Sequence, residues 1–373
     1  MNKLLFSLCF LIILSSCKKT DYMPVVRGLP TSKIFELNRI DQIFFTNDKG
    51  LLISGDFNNK TTLIKTDLRL NILWTKGDFE WGYNYTEPGW GGAFHSSQIL
   101  HLFQKNDGNY ICIAGIEEGG CIRFSSTFIE ELNQKGNQIK QIKIESFSPW
   151  KAIKTSDEGY LLLGNKLIKL DKYLDKKWEK ELNHNEFSES QIRETSNGFA
   201  STGSYGYDKV FLRKYDSEGN ITSTKVYDHP DYPFNDAGYD LIQLADKGFL
   251  IAGRTRKIHD PLDTDCQLIR TNNYGDTIWT KRFGDASDEW LENILESDQN
   301  EFIIQGNEGF PNSTQKSILL KINSNGQILD YIKTDKFEKI VRSPLNYYLK
   351  AQKYGSNQIK INYITKSEMF NMQ

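Results

Sequence analysis

Short apolar runs alternate with polar turns along most of the chain, and the same two-part pattern recurs. The first part is a turn with Asp or Asn and usually Gly, followed by an apolar run that ends in Gly, as in 47–55 (NDKGLLISG). Such runs, bounded by turn residues, are typical of β-strands, and the Gly of each turn is expected to supply the positive φ that tight hairpins need. Equivalent segments occupy 106–115, 156–164, 195–203, 245–253 and 297–306.

The second part of the pattern is another apolar strand, a polar turn and a strand that often holds Trp. Segment 63–67 (LIKTD) leads to Trp74, and 167–171 (LIKLD) leads to Trp178. Related segments are 211–220, 268–276 and 319–326. Each unit thus supplies four short strands, and the unit recurs about every 50 residues, which is typical of β-propeller blades.

A degenerate seventh unit follows the six clear ones. Its strands are 340–341, 347–349 and 359–363, and it lacks a fourth. Segment 33–37 (KIFEL) resembles the missing strand and would close the ring without an open sheet edge. We therefore predict one all-β domain over 33–373, a β-propeller of seven blades closed by an N-terminal strand, with six blades as the alternative.

The first residues predict a targeting segment. Lys3 precedes an apolar run that is too short to span a bilayer, and the run ends in Leu-Ser-Ser-Cys at Cys17. This ending resembles the bacterial lipobox, which implies a lipoprotein signal peptide over 1–16 and lipid attachment at Cys17. The residue after Cys17 is Lys18, whereas lipoproteins retained in the inner membrane carry Asp there. The resemblance therefore implies an outer-membrane lipoprotein. Residues 17–32 would form its lipidated N-terminus and tether. The membrane side is left open, and an ordinary signal peptide with a chance Cys is the alternative.

Taken together, the lipobox and the repeats resemble bacterial envelope lipoproteins whose propellers carry D-G-G-Y-x-x-x-G and K-x-D-x-x-G-x-x-x-W motifs. The resemblance covers about 33–365 and implies the fold more specifically than the function, since propellers host binding, scaffolding and catalysis. Segment 271–277 is similar to the Asp-box of sialidase-like propellers, with Asn273 where that box has Asp. Because the box is a turn element, it does not imply sialidase chemistry.

Composition narrows the classes of partner. Lys and Arg number 46 against 48 Asp and Glu, a net charge of −2, which lacks the basic excess of a nucleic-acid binder. Besides the lipidated Cys17, the mature chain would keep three thiols, an odd number without a CxxC pair, at Cys112, Cys121 and Cys266. We expect buried free thiols, with a disulfide as the alternative.

Variable connections indicate where binding would occur. In a four-strand meander, the turns that join the first and second and the third and fourth strands lie on one face, which we call the turn face. The remaining connections lie on the opposite, variable-loop face, and loops that vary on a rigid scaffold commonly carry function. The connection 77–97 is rich in aromatic residues that could stack on sugars or anchor a protein, with an ordinary satellite core as the alternative. Its candidates are Trp81, Tyr83, Trp90 and His95.

Two further insertions add charge to this face. In 254–265, Arg254 and Arg256 could bind a carboxylate or phosphate, while Asp263 and Asp265 could hold Ca²⁺, although the spacing is not that of an EF-hand and a solvated loop is the alternative. Segments 228–239 and 284–290 bring further candidates, namely Asp231, Tyr232, Asp236, Asp285, Asp288 and Trp290.

No common catalytic motif is present: HExxH, GxSxG and the P-loop pattern are all missing from the sequence. The sequence thus favours a cell-envelope lipoprotein whose propeller binds or scaffolds a glycan or protein partner, without a required cofactor. A carbohydrate-active enzyme, a glycosidase or lyase using carboxylates of the variable-loop face, is the alternative. Its candidate carboxylates are Asp231, Asp236, Asp285 and Asp288.

Overall fold

The computed structural model describes residues 32–77, 79, 85–86, 94–119, 123–182, 186–206, 208–228, 234–256, 264–285, 287–296, 301–309, 315–335, 339–342 and 347–371. Within these ranges nearly every element is a strand, and the strands form seven small antiparallel sheets arranged as a ring. The seven-blade propeller is confirmed, and the six-blade alternative is wrong. Cys17, the signal peptide and the predicted tether as far as residue 31 lie outside the described residues, whereas Ser32, its last residue, already belongs to a strand. No helix of the described part is long and apolar enough to cross a membrane.

The strands follow one another blade by blade. The closing strand is β1 (Ser32–Glu36), and blade 1 consists of β2 (Arg39–Phe45), β3 (Leu51–Phe57), β4 (Lys60–Thr66) and β5 (Ile72–Lys76). Blade 2 contains β6 (Tyr85–Thr86), β7 (Phe94–Gln104), β8 (Tyr110–Gly119), β9 (Arg123–Leu132) and β10 (Gln138–Glu145). Blade 3 contains β11 (Lys151–Lys154), β12 (Tyr160–Leu163), β13 (Lys166–Leu170) and β14 (Lys176–Glu181).

The remaining blades repeat this order. Blade 4 contains β15 (Phe187–Thr195), β16 (Gly198–Tyr205), β17 (Lys209–Tyr215) and β18 (Ile221–Tyr227). Blade 5 contains β19 (Phe234–Gln243), β20 (Phe249–Arg256), β21 (Thr264–Thr271) and β22 (Thr277–Phe283). Blade 6 contains β23 (Glu289–Glu296), β24 (Glu301–Glu308), β25 (Lys316–Asn323) and β26 (Ile328–Asp335), and blade 7 contains β27 (Lys339–Arg342), β28 (Tyr348–Gly355) and β29 (Gln358–Ile364).

The ring closes through the first strand, as the sequence predicts. Strand β1 pairs antiparallel with β29, from Ser32 opposite Asn362 to Glu36 opposite Gln358, and so forms the outer strand of blade 7. A short helix, α1 (Lys366–Phe370), follows and buries Met369 against the apolar contact between blades 6 and 7. The pairing gives the last blade its fourth strand, which satisfies an edge that would otherwise be open.

The core lies between neighbouring blades rather than at one centre. Leu52 and Leu63 of blade 1 pack in one cluster with Ile99 and Cys112 of blade 2, and similar clusters join the following pairs. Strands are apolar on both faces because each sheet is covered on both sides. Cys112 and Cys266 are buried free thiols, as expected, while Cys121 lies outside the described residues.

The glycines at the ends of the second strands mark close backbone contacts. A Cβ on Gly203 or Gly253 would overlap the carbonyl oxygen of Ser188 or Ala237 on the adjacent inner strand. Next to each of these contacts the inner strand carries a β-bulge. Because glycine lacks Cβ, it lets the bulged inner strand approach its neighbour.

The turn glycines play a different role from the expected one in three blades. In the turns of blades 1, 3 and 5, positive φ occurs at Lys49, Glu158 and Lys247, not at the glycine that follows. A Cβ at Gly50 would overlap both the Thr66 carbonyl oxygen and the Lys65 ammonium. The expectation that the turn glycine supplies positive φ is therefore wrong in these three blades. The glycine there makes room for a buried cation of the third strand, Lys65, Lys169 or Arg270.

Candidate functional site

Part of the predicted site can be placed in the structure. Arg254, Arg256, Asp236, Asp265, Asp285, Asp288 and Trp290 are described, all at the variable-loop ends of blades 5 and 6. Trp81, Tyr83, Trp90, Asp231, Tyr232 and Asp263 lie outside the described residues. His95 belongs to β7, and the structure describes its backbone only. The predicted residues that can be placed therefore converge on one sector of the ring.

Asp236 stands at a bulge at the start of β19 and faces a polar pocket. The pocket measures about 300 Å³, lies between blades 4 and 5, and is lined by Tyr227, Gln267 and Arg282 among others. Asp236 is 2% exposed, and its Oδ1 has no hydrogen-bond partner among the described residues. Gln267 is similarly buried, with an unpartnered Oε1. Unsatisfied buried acceptors are rare, so they point to a ligand or water that donates hydrogen bonds.

Burial has a large effect on the Asp236 carboxyl. It raises the pKa of Asp236 to about 7, against the opposing effects of hydrogen bonding at Thr255 and at the Arg256 backbone N–H and of the nearby Arg282 charge. The neutral and charged forms are therefore both populated near neutral pH. Such a group can accept a hydrogen bond, donate one, or transfer a proton.

A second cluster surrounds the ammonium group of Lys333 on β26. Lys333 Nζ lies 2.7 Å from Asp285 Oδ2 and 3.0 Å from Glu308 Oε2, and it also pairs with Glu289. These contacts raise the pKa of Lys333 against the opposing effect of burial, and they lower the pKa of Asp285. Burial raises the pKa of Glu289, and repulsion from Asp285 and Glu308 adds to that effect.

Asp265 belongs to the same acidic neighbourhood. A Cβ on Gly284 would overlap Asp265 Oδ1 and lie 2.9 Å from Glu289 Oε2, so these two carboxylates approach each other across the glycine. Both side chains are buried, with exposed fractions of 4% and 0%. The two carboxylates therefore add negative charge to the buried surroundings of Lys333.

Two of the predicted residues have structural partners instead. Asp288 Oδ1 accepts hydrogen bonds from the N–H and the hydroxyl of Thr264 at 3.1 and 2.7 Å, which attaches β21 to the start of blade 6. Trp290 Nε1 donates to Glu292 Oε1 at 2.7 Å. Asp288 Oδ1 and the Trp290 indole N–H thus hold neighbouring strand residues in place.

The two arginines lie at the end of β20. The Arg254 guanidinium lies 5.6 Å from the centre of the Tyr239 ring, which places it over an inner-strand aromatic. The Nε of Arg256 has no hydrogen-bond partner in the part of the chain that the structure describes. The arginines thus extend the polar surface from the Asp236 pocket towards the centre of the ring.

Several polar residues of this sector were not identified as candidate site residues from the sequence. Gln267, Arg282, Glu308 and Lys333 lie in strands for which the sequence analysis predicted only a structural role, and Glu289 lies in segment 284–290 without being a candidate. No signal in the repeat marks Gln267, since the equivalent positions in blades 1 and 3 are also polar, Thr62 and Lys166. The convergence of the residues of this sector could not be inferred, because strand register and blade packing bring together residues far apart in sequence.

For Ca²⁺, the structure offers a limited test. Among the described residues, no group of three or more His, Cys, Asp or Glu side chains could hold a metal ion. Asp263 is outside those residues, so Ca²⁺ at Asp263 and Asp265 stays a prediction.

The Asp-box-like segment is a turn, and other blades contain the same turn. Asn272 Oδ1 accepts hydrogen bonds from the N–H groups of Tyr274 and Asp276, both at 2.9 Å. Asp216 makes the equivalent bonds in blade 4. The segment therefore belongs to the architecture of the blades.

Comparisons with known proteins support the fold alone. No protein-family profile and no curated protein sequence matches the chain. Among solved structures, the chain is similar to BBS1N in its complex with ARL6DN soaked with lead, at a TM-score of 0.50 and 8% identity over 89% of this chain and 94% of that one. Drosophila Plexin A in complex with Semaphorin 1b matches at a TM-score of 0.48 and 6% identity over 90% and 87% of the two chains. At such identities the first likeness shows a shared propeller fold, and the second carries no argument.

Proposed function

We propose that this protein is a lipid-anchored propeller of the bacterial outer membrane that binds a glycan at its variable-loop face, in the Asp236 pocket between blades 4 and 5. The observation that carries the glycan assignment is the Asp236 pocket, where buried acceptors on Asp236 and Gln267 face the donor Arg282. A hydroxyl-rich sugar offers donors and acceptors together, which this mixed lining needs. The lipobox at Cys17 supports the anchor and the location.

The anchor has its own test. Full-length protein expressed in a Gram-negative host is expected to fractionate with outer membranes and to incorporate radiolabelled palmitate, because multiple acyl chains give stable attachment. Cys17→Ala is expected to abolish both. Palmitate incorporation by the Cys17→Ala variant would contradict the lipobox assignment.

Binding is tested on an array of oligosaccharides that includes neutral and uronic-acid members. Asp236→Asn and Gln267→Leu should each weaken retention at least tenfold, while Glu218→Gln, an exposed change on the turn face, should leave it unchanged. Trp81→Ala and Trp90→Ala test whether the 77–97 insertion contributes to the same ligand. Retention that survives the Asp236 and Gln267 changes would overturn this placement of the site.

A protein partner is the competing binding function. The propeller BBS1N is described in a complex with ARL6DN, which is consistent with such a role, although the likeness itself extends to the fold only. Chemical cross-linking of intact cells followed by purification of the anchored protein distinguishes the two. A stoichiometric protein complex together with an empty glycan array would favour the protein partner.

A carbohydrate-active enzyme is the second candidate, and a specific observation favours it. Asp236 has a pKa of about 7, which suits a general acid, and the Asp265 and Glu289 carboxylates approach each other nearby. Turnover of a polysaccharide panel, lost in Asp236→Asn or Asp285→Asn while the fold is kept, would establish catalysis. Retention of a ligand without turnover would leave the binding function.

A further inference from the structure

The turn face contains a repeated ion pair between the second turn residue of a blade and a lysine or arginine on its third strand. Lys65 Nζ lies 3.0 Å from Asp48 in blade 1, and Lys169 Nζ lies 2.8 Å from Asp157 in blade 3. The equivalent pair in blade 5 joins Arg270 and Asp246. In blade 6, Lys321 pairs instead with Glu301, the first residue of the second strand, which stands where blades 1, 3 and 5 carry the turn glycine. The cations are largely buried, so the acid offsets the cost of removing each charge from water.

Blade 4 has the cation of this pair without the acid. Lys214 lies opposite Ala200 on the neighbouring strand, as Lys65 lies opposite Leu52 and Lys169 opposite Leu161. The register therefore identifies Lys214 as the equivalent lysine. Its turn is one residue shorter, since Thr195 pairs directly with Gly198, and Asn197 stands where the other turns carry an acid.

The contacts of Lys214 do not replace the missing acid. Its ammonium donates to the Asn273 carbonyl oxygen and lies 5.4 Å from the centre of the Phe249 ring. Within the described ranges, no carboxylate lies within salt-bridge distance of Lys214. Asp276 is close enough to influence Lys214 electrostatically, but its carboxylate is bonded to Lys225 at 2.9 Å.

A pocket opens beside this lysine, between blades 4 and 5. It measures about 300 Å³, and the two charged residues that line it, Lys214 and Lys247, are both cationic. Hydroxyl and amide groups form much of the remaining lining, and aromatic rings contribute an apolar part. These residues are Thr195, Ser196, Asn197, Thr222, Gln243, Asn273, Phe199, Tyr215 and Phe249.

We propose that this pocket binds an oxyanion, a phosphate or a carboxylate, carried by a ligand whose ring or chain packs on the aromatic part of the lining. The oxyanion takes the position that the turn acid takes in the other blades and completes the repeated ion pair. Lys247 supplies a second positive charge, and the Ser, Thr and Asn groups supply hydrogen bonds that satisfy the remaining oxygen atoms. This site lies on the face opposite the proposed glycan site and does not depend on it.

The pKa of Lys214 agrees with a site that lacks its anion. Burial lowers the pKa of Lys214, and repulsion from Lys225 adds to that effect against the attraction of Asp276. A bound oxyanion would raise the pKa again, so binding should be coupled to proton uptake at alkaline pH.

The test measures binding of inorganic phosphate, glucuronate and neutral glucose to the mature protein by isothermal titration calorimetry. Phosphate or glucuronate is expected to bind and glucose is not, and the stronger of the two anions distinguishes a phosphate from a carboxylate source. Lys214→Gln should weaken anion binding at least tenfold. Lys209→Gln is the matched control, because it removes a surface lysine of the same strand that pairs with Asp228 at the opposite end of the blade and does not line the pocket.

A second variant restores the acid of the repeated ion pair. It tests the proposal in a protein that is expected to keep its fold. Asn197→Asp places a carboxylate in the pocket with Lys214, so it should abolish anion binding while the unfolding midpoint is kept or raised. Two results would overturn the proposal: wild-type protein that binds neither anion, or equal anion affinity in wild type, Lys214→Gln and Asn197→Asp.

Discussion

Asp240 on the inner strand of blade 5 accepts a bidentate hydrogen bond from Arg193 on the inner strand of blade 4. The Arg193 Nη2 atom lies 2.9 and 2.8 Å from the two carboxylate oxygens of Asp240. The same carboxylate accepts from the backbone N–H of Ile294 in blade 6 at 2.8 Å. A single buried side chain therefore connects three successive blades near the centre of the ring.

We expect Asp240→Asn to lower the free energy of unfolding by about 1–3 kcal/mol, because it removes the charge of a fully buried carboxylate that accepts hydrogen bonds from the partly exposed Arg193 and from the Ile294 N–H. Urea denaturation followed by tryptophan fluorescence measures the change. Asp228→Asn is the control, since Asp228 pairs with Lys209 at the surface and such pairs contribute about 0–1 kcal/mol. Equal losses in the two variants would contradict a special role for Asp240.

Substitution of a strand-ending glycine tests the close contact with the bulged inner strand. Gly253→Ala should destabilise the protein by more than about 3 kcal/mol, because the new Cβ overlaps the Ala237 carbonyl oxygen and the backbone must shift. Gly355→Ala is the matched control, since its Cβ would lie 3.5 Å from Gln358 Oε1, an ordinary contact. Thermal unfolding by circular dichroism compares the two, and a well-tolerated Gly253→Ala would refute the contact.

Asp236 should give the protein a distinctive dependence on pH. Its pKa rises from 3.8 to about 7 on folding, so between these values the folded state binds more protons than the unfolded state. Stability attributable to Asp236 therefore falls as the pH rises from about 4 to about 7, by roughly 2–4 kcal/mol. Asp236→Asn should remove this fall and be more stable than wild type at pH 8.

Chemical denaturation at a series of pH values measures that slope. Glu218→Gln, a change of an exposed carboxylate, should keep the wild-type slope. A wild-type slope in Asp236→Asn would show that Asp236 is not the titrating group. Saturation with a ligand that donates a hydrogen bond to the Asp236 carboxylate should shift the slope to lower pH, because the bond favours the charged form and lowers the pKa of Asp236.

The two described thiols should be unreactive in the native protein. Cys112 and Cys266 are fully buried, and burial raises the pKa of both, so neither forms the thiolate that alkylation needs. Iodoacetamide labelling followed by peptide mass spectrometry should modify them only in denaturant. Rapid native labelling of either would show that the contacts between blades open readily.

The sequence determined the fold because the repeat is a local property. Asx-containing turns, apolar strands and the recurrent Gly and Trp positions are each set by neighbouring residues, so a ring of seven four-stranded blades followed from counting units. The closing strand could also be predicted, since 33–37 matched the strand that the last unit lacked. The role of the turn glycines could not be predicted from the sequence. Gly50 makes room for Lys65, and that contact depends on the pairing of two strands.

Tertiary structure decided which polar residues meet. The sequence identified Asp236, Asp265 and Arg254 as members of variable loops, but Gln267, Glu289 and Lys333 joined them only through strand register and the packing of successive blades. The missing acid beside Lys214 likewise became apparent only once the paired strands were aligned across blades. Local patterns specify each strand and turn, whereas a binding site depends on distances between residues that the chain separates by tens of positions.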